Sequence, residues 1–253
     1  MRFLKVYNWS NFKQKVQIKC ILCRGFTTLA QPLCYLCLAT CPVPLYFCSC
    51  CGLPIQDSET GICGQCLKQP PLFDTCLSPF LYQFPVNRVL QMLKYQSRLE
   101  LIKPMARSLA EWLIGYYNDD RWPEVMLPVP LHRKRLRERG YDQTLLLTKA
   151  LKKRLTTKKN VGVDQELIKR TVHSVPQQGL DASARQKNIR NAFSLSRKPE
   201  WNHVALVDDV VTTGATVSEI TRLLKKNGVG RVDIWSIART PDTWLLLTII
   251  LYD

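Results

Sequence analysis

Residues 204–216 read VALVDDVVTTGAT, and this stretch restricts the fold of the chain more sharply than its composition does. Four residues suited to a buried strand lead into two adjacent aspartates, and a threonine-rich turn with one glycine follows. Alternating elements surround it. Residues 101–117 place Met105, Leu109, Trp112 and Leu113 at helical spacing, and 125–130 (VMLPVP) form a short apolar run. Residues 143–155 predict a second helix with Lys149, Lys152 and Lys153 toward solvent. Beyond the strand at 204–207, residues 217–227 predict another helix and 232–238 another strand. Strand, helix and strand in that order imply right-handed crossovers and a parallel sheet, hence an α/β fold. Such sheets take ligands outside the carboxyl ends of their strands, and Asp208 and Asp209 fall at one of those ends.

Two like charges side by side repel unless they share hydrogen-bond donors or a cation. The 2′ and 3′ hydroxyls of a ribose are suitable donors, and a Mg²⁺ carried by the same ligand would relieve the repulsion. The following TTGAT can wrap its backbone N–H groups, and the hydroxyls of Thr212, Thr213 and Thr216, around a phosphate. Thr216 and Glu219 have the spacing of a capping box, which starts the next helix at the loop and turns its positive end to the anion. Phosphate in the loop and a diol on the carboxylates describe a ribose 5-phosphate. The plainer alternatives are a ligand-free acidic strand end or a Mg²⁺ site of a phosphatase type.

The N-terminal third is different material. All 11 cysteines lie before Leu77, and eight of them form CxxC pairs: Cys20/Cys23, Cys34/Cys37, Cys48/Cys51 and Cys63/Cys66. Two thiolates two residues apart can face one ion, and two such turns complete a tetrahedral Cys₄ zinc site. Eight ligands serve two ions either in sequence or cross-braced, and both pairings stay open. Four thiolates leave no free coordination position, so the zinc is structural, and a stretch this poor in core-forming residues needs metal to fold. Cys41, Cys50 and Cys76 are left over, and Cys50 competes with its neighbours Cys48 and Cys51. The alternative is a set of buried or redox-active thiols. A boundary near 70–80, helped by Pro70 and Pro71, divides a Cys-rich module (1–78) from a sheet domain (79–253). The odd thiol count, with no apolar leader in the first 20 residues, points to a reducing, cytoplasmic compartment.

Thirty-six Lys and Arg against 20 Asp and Glu leave a net charge of +16, which favours polyanions: nucleic acid, phosphorylated ligands or an anionic membrane surface. A solvated basic surface without a partner is the plainer reading. Lys149, Lys152, Lys153, Lys158 and Lys159 read as a solvated face able to touch phosphate backbones in a salt-sensitive way. Tyr95, Tyr141 and Trp201 are too scattered for a base-stacking platform. His132, His173 and His203 share no spacing, and none reads as catalytic. No stretch approaches the ~20 apolar residues that span a bilayer. The tail at 244–252 (WLLLTIILY) reads as a buried strand or adhesive tail, with peripheral contact at the inner face of a membrane a weaker option.

The apolar run followed by D-D-x-x-T-T-G-x-T resembles the signature of type I phosphoribosyltransferases, which bind 5-phosphoribosyl 1-pyrophosphate (PRPP). That resemblance implies that Asp208 and Asp209 hold the ribose hydroxyls and do any catalytic work on the sugar. Thr212, Thr213, Gly214, Ala215 and Thr216 would then hold the 5′-phosphate, with Mg²⁺ accompanying PRPP. The segments 129–143 (VPLHRKRLRERGYDQ) and 170–193, together with the CxxC pairs, are similar to the ComF/GntX family. These phosphoribosyltransferase-like proteins are associated with DNA uptake in naturally competent bacteria. Arg139, Gly140 and Gln143 match one family block; Gln177, Leu180, Arg185, Asn188, Ala192 and Phe193 match another. Val172 departs from it, and 241–253 extend past its usual end. In a sheet of this kind the basic loop with Arg133, Lys134, Arg135, Arg137 and Arg139 would face the pyrophosphate side. An exposed helix start and a DNA-contact strip are the other readings of that loop. The resemblance implies a PRPP-binding protein that contacts single-stranded DNA or proteins of DNA import and recombination. An active Mg²⁺-dependent transferase with an unidentified acceptor, or an adaptor with a vestigial site, are the alternatives.

Overall fold

In the computed structural model, residues 18–27, 31–56, 59–117, 122–156, 159–171 and 191–241 are described. The blocks Gln177, Leu180, Arg185 and Asn188, the departure at Val172, Lys158, His173 and the tail at 244–252 lie outside them. Short paired strands and turns come first: β1 (Ile18–Lys19) and β2 (Phe26–Thr27), then helices α1 (Tyr35–Ala39) and α2 (Gly64–Lys68). Next come β3 (Thr75–Leu77), β4 (Phe80–Leu81), α3 (Val86–Tyr95) and α4 (Ile102–Tyr116). The alternating part follows with β5 (Val125–Pro128), α5 (Arg133–Arg139), α6 (Gln143–Leu155), β6 (Gly162–Val163), β7 (Ile168–Arg170) and β8 (Phe193–Leu195). It closes with β9 (His203–Val211), α7 (Ala215–Lys226) and β10 (Arg231–Arg239).

The main sheet has the order β3-β10-β9-β5-β6, with β4 continuing along β10 after β3, and its pairings are parallel. The α/β expectation of a parallel sheet flanked by helices is therefore met. The expected elements appear with small shifts, α6 over the same 13 residues. The strand at 204–207 is longer than expected, because it runs on through both aspartates to Val211. Helix α3 was not anticipated, although Val86, Val89, Leu90 and Leu93 carry its buried face at helical spacing.

Alternation along the central strands separates two cores. Ala205, Val207, Trp235 and Ile237 face α3, α4 and α6, whereas Val204, Leu206, Val232 and Ile234 face α7. Each core also takes in part of the Cys-rich segment: Cys20 and Leu33 join the first, and Cys48, Cys51 and Cys66 join the second. At the amino end of the sheet, buried Asp233 accepts from Tyr117 Oη at 2.6 Å and pairs with His203 Nε2 at 2.8 Å and Arg231 Nε at 2.9 Å. Burial would raise this carboxyl, but these partners hold it below its usual range. His203 thus belongs to a packing network far from the loop at 212–216.

Strand order reverses between β5 and β9. The chain leaves β5 through α6 for β6 on one side, then returns to place β9 on the other. The carboxyl ends of those two neighbours deliver α5 and the TTGAT loop to the same edge of the sheet, where an open parallel sheet receives a ligand.

Candidate functional site

The paired aspartates are not equivalent. Both lie within β9. Asp209 shares the face of Val207 and is buried, its Oδ2 2.9 Å from Lys94 Nζ at the end of α3 and 3.4 Å from Gln143 Nε2 at the start of α6. Burial would lower the lysine, but the Asp209 carboxylate holds it above its usual range. Asp208 precedes it in the strand, and its Oδ1 accepts the Asp209 backbone N–H at 2.8 Å. Burial and then the adjoining Asp209 push Asp208 up to about 8, with Lys94 opposing. One carboxylate is neutralised by a built-in cation, and the other is left able to gain a proton, a metal or hydroxyl donors.

Gly214, at φ 77°, caps α7, which begins at Ala215. This left-handed position favours glycine, and a side chain there would also approach the Phe73 ring at 3.8 Å. The expected capping box does not form. Glu219 instead accepts from Arg222 at 2.7 and 3.0 Å and from the Asn191 N–H at 2.9 Å, because the helix starts one residue before Thr216. Thr213 Oγ1 takes over at the helix start, accepting from the Ala215 N–H at 3.4 Å. Thr212 and Thr213 are exposed, and Gly214, Ala215 and Thr216 half-buried, so the loop stays open to a ligand.

The basic loop at 133–139 is the helix α5, capped by His132, whose Nδ1 accepts from the Lys134 N–H at 3.1 Å. Arg133 and Lys134 are exposed on its first turn, and among the described residues neither contacts the aspartates. Arg139 is brought in: its Nη1 donates to Gln143 Oε1 at 3.1 Å, and Gln143 reaches Asp209. Its guanidinium also lies over the Tyr95 ring. Burial holds Arg170 on β7 below its usual range, as does Arg135, while Asp208 pulls the other way; these three charges lie within electrostatic reach.

Two residues escaped the sequence reading. Lys94 follows Leu90 by four positions on the buried side of α3, so a lysine on an apolar face was the available signal. Arg239 ends a nine-residue strand that is otherwise largely apolar, and it is buried.

The cysteines assemble in sequence rather than cross-braced. Cys20, Cys23, Cys34 and Cys37 form one set and Cys48, Cys51, Cys63 and Cys66 another, with the sulfurs of each set within 4.8 Å of one another. Cys23 and Cys34 sulfurs are 3.7 Å apart and those of Cys51 and Cys63 3.6 Å. A tetrahedral ion with metal–sulfur bonds of about 2.3 Å sets its ligands ~3.8 Å apart, so both sets fit zinc. Backbone N–H groups also aim at the sulfurs, Cys34 N at Cys20 Sγ (3.4 Å) and Cys63 N at Cys48 Sγ (3.3 Å), as thiolates require. Cys50 is no member of either set, which resolves the competition. Burial pushes Cys41 and Cys76 up to about 11, marking them as core thiols.

A cleft of about 1350 Å³ lies on the other side of α3 from Lys94. Lys19 and Arg24 beside the first Cys₄ set, Arg88 and Arg98 from the α3 side, and Lys103 and Arg107 from α4 line it. Its acidic residues, Glu100 and Glu111, pair with Arg98 at 3.3 Å and Arg107 at 2.7 Å.

The sequence model of the phosphoribosyl transferase domain matches residues 147–249. Competence protein F of Haemophilus influenzae is 36% identical over 241 residues, covering 92% of this chain and 99% of that protein. The chain belongs to the ComF/GntX family. Its ComF/GntX relatives include DNA utilization protein YhgH of Escherichia coli strain K12, 34% identical over 87% of this chain and 96% of that one. Competence protein ComFC of Bacillus subtilis is 24% identical over 77% of this chain and 78% of its own length. Among solved structures, a hypoxanthine phosphoribosyltransferase from Staphylococcus aureus aligns over 56% of this chain and 73% of its own, at 15% identity and a TM-score of 0.34. The ComF/GntX chain combines a type I phosphoribosyltransferase-like parallel sheet with an N-terminal Cys-rich segment able to hold two metal ions. Among the described residues no helix is long and apolar enough to cross a membrane.

Proposed function

We propose that this chain is a PRPP-binding protein of DNA uptake, with two structural zinc ions. The observation that carries the ligand is the grouping at the carboxyl end of β9. There Asp208, Asp209 and the open loop of Thr212, Thr213, Gly214, Ala215 and Thr216 meet at the strand-order reversal. Ribose hydroxyls would donate to the carboxylates, Mg²⁺ on the pyrophosphate would offset their charge, and the 5′-phosphate would sit at the amino end of α7. The names of the relatives, Competence protein F and DNA utilization protein, support a role in handling incoming DNA, which would be carried out in the cytoplasm. The basic cleft suits a single strand: cations on its rim face phosphates, and Ile21, Pro32 and Met92 offer apolar contact. The Cys-rich module (1–78) would join the sheet domain (79–253) through β3, the strand that pairs with β10. Proteins of DNA import or recombination are the expected partners of that module.

Calorimetric titration with PRPP, with and without Mg²⁺, tests the ligand. Micromolar or tighter binding is expected for the wild type and none for Asp208→Asn plus Asp209→Asn; equal binding by both would overturn the assignment. A second reading is an active transferase. The link from Arg139 through Gln143 to Asp209 favours it, since a guanidinium tied to the carboxylates would assist a leaving pyrophosphate. Pyrophosphate release from PRPP with a panel of bases and amines decides between the two.

A further inference from the structure

We propose that Arg239 is a positioning residue that ties the phosphate loop to the second Cys₄ centre, so that metal at that centre sets the loop for its ligand. This rests on the PRPP reading for the identity of the ligand, not for the tie itself. Arg239 is 6% exposed, and a guanidinium buried that far needs acceptors for its donors. The acceptors are backbone carbonyls. Nε donates to Cys51 O at 2.9 Å, and Nη1 to Val211 O and Thr240 O, each at 3.1 Å, and closely to Thr212 O.

Those contacts reach two functional elements at once. A peptide unit is planar and trans, so a carbonyl turned toward Arg239 turns the next residue's N–H the opposite way. Holding Val211 O and Thr212 O therefore aims the N–H groups of Thr212 and Thr213 away from the protein interior, toward the open side of the loop. At the other end, Cys51 is a ligand of the second Cys₄ set, and its carbonyl belongs to the knuckle turn closed by the Gly52 N–H to Cys48 O bond at 2.9 Å. That turn is pressed on the sheet. A Cβ at Gly52 would come within 2.6 Å of Cys76 O, and Thr75 Oγ1 donates to Ser49 O at 2.7 Å. An ion that fixes Cys51 fixes its carbonyl, and through Arg239 the first peptide planes of the loop. The first Cys₄ set packs in the opposite core and supplies an internal control, since among the described residues it shares no hydrogen bond with 211–216.

The test is amide hydrogen exchange of the segment 210–218, read by mass spectrometry on the zinc-loaded full chain. Three variants are compared: Arg239→Lys, Cys63→Ser in the second centre and Cys23→Ser in the first. Arg239→Lys keeps the charge but loses the fork that spans Cys51 and the loop. Loop exchange is expected to rise ~10-fold in Arg239→Lys and in Cys63→Ser, as for loss of one hydrogen bond to a charged group. Cys23→Ser is expected to lose zinc and leave loop exchange unchanged. The proposal is overturned by an unchanged loop in Arg239→Lys or Cys63→Ser, or by equal acceleration in Cys23→Ser, which would mean general loosening. If Arg239→Lys does not fold, the contrast between the two cysteine variants decides. PRPP affinity is measured alongside: a wild type that ignores PRPP while the loop responds would sink the ligand reading and leave the tie intact.

Discussion

The two cysteine centres use the same local spacing and the same four-thiol chemistry, yet the fold gives them different neighbours. The first packs against the core shared by α3, α4 and α6 and walls one side of the basic cleft. The second lies on the opposite core, against β3, and reaches the loop after β9 through Arg239. A short motif fixes how an ion is held; what the ion then supports is decided by which surface the knuckle is packed on.

The largest expected effect comes from removing metal. Structural zinc supplies on the order of 10 kcal/mol, comparable to the whole stability of a domain at about 5–15 kcal/mol. Chelation of the zinc-loaded chain, which strips both centres, should therefore abolish a cooperative thermal transition, whereas loss of one centre should only lower its midpoint. Cys48→Ser, at a fully buried ligand, should lower the midpoint more than Cys23→Ser at an exposed one. Equal losses, measured by differential scanning calorimetry, would erase the distinction between the centres.

Next in size is the pair at the carboxyl end of β9. Lys94→Met leaves Asp209 buried without its cation, and breaking such a pair costs about 3 kcal/mol. Urea denaturation should show that loss, and Lys94→Met plus Asp209→Asn should recover most of it. If the double variant is no more stable than Lys94→Met, the two residues are not acting as a pair.

Asp208 gives a smaller, pH-dependent effect. An unfolded aspartate titrates near 3.9, whereas Asp208 in the fold titrates at about 8. Ionising it therefore opposes folding, by an amount that is absent at low pH, grows from about pH 4 and is complete only above about pH 8. Asp208→Asn should stabilise the chain at pH 8.5 relative to wild type and make little difference at pH 4. A ligand whose hydroxyls donate to the carboxylate should bind with proton release, more tightly as pH rises toward 8. Calorimetry in buffers of different ionisation enthalpy would detect the proton.

These carboxylates also show how much of the site was legible. Strand, acidic pair, glycine turn and helix follow one another in 204–226, and each is dictated by residues a few positions apart. So is the capped α6, where Asp142 accepts from the Leu145 N–H at 2.9 Å. That both aspartates belong to the strand itself was legible in principle, had the strand been carried past Val207. The partners of Asp209 were not, because Lys94 and Gln143 come from other elements, the latter 66 positions away.

The smallest effects belong to the cleft. Lys103→Ala and Arg88→Ala, both exposed, should change stability by less than ~0.5 kcal/mol. Each should also lower the salt slope of oligonucleotide binding by about one ion. Fluorescence anisotropy against salt concentration checks this, and an unchanged slope in both variants would move any DNA contact away from the first cysteine centre.

By itself the sequence determined the elements and the chemical vocabulary: a parallel α/β sheet, a threonine- and glycine-containing turn after β9 and four CxxC knuckles able to hold metal. These follow from short-range physics, since periodicity, turn residues and CxxC spacing act within a few residues. Only the tertiary structure decided that the knuckles pair in sequence and that Lys94 neutralises Asp209 while Asp208 keeps a raised pKa. It alone decided that Arg239 meets Cys51 across 188 positions. Those contacts depend on where the sheet brings distant segments together, which burial and strand order set and no local pattern records.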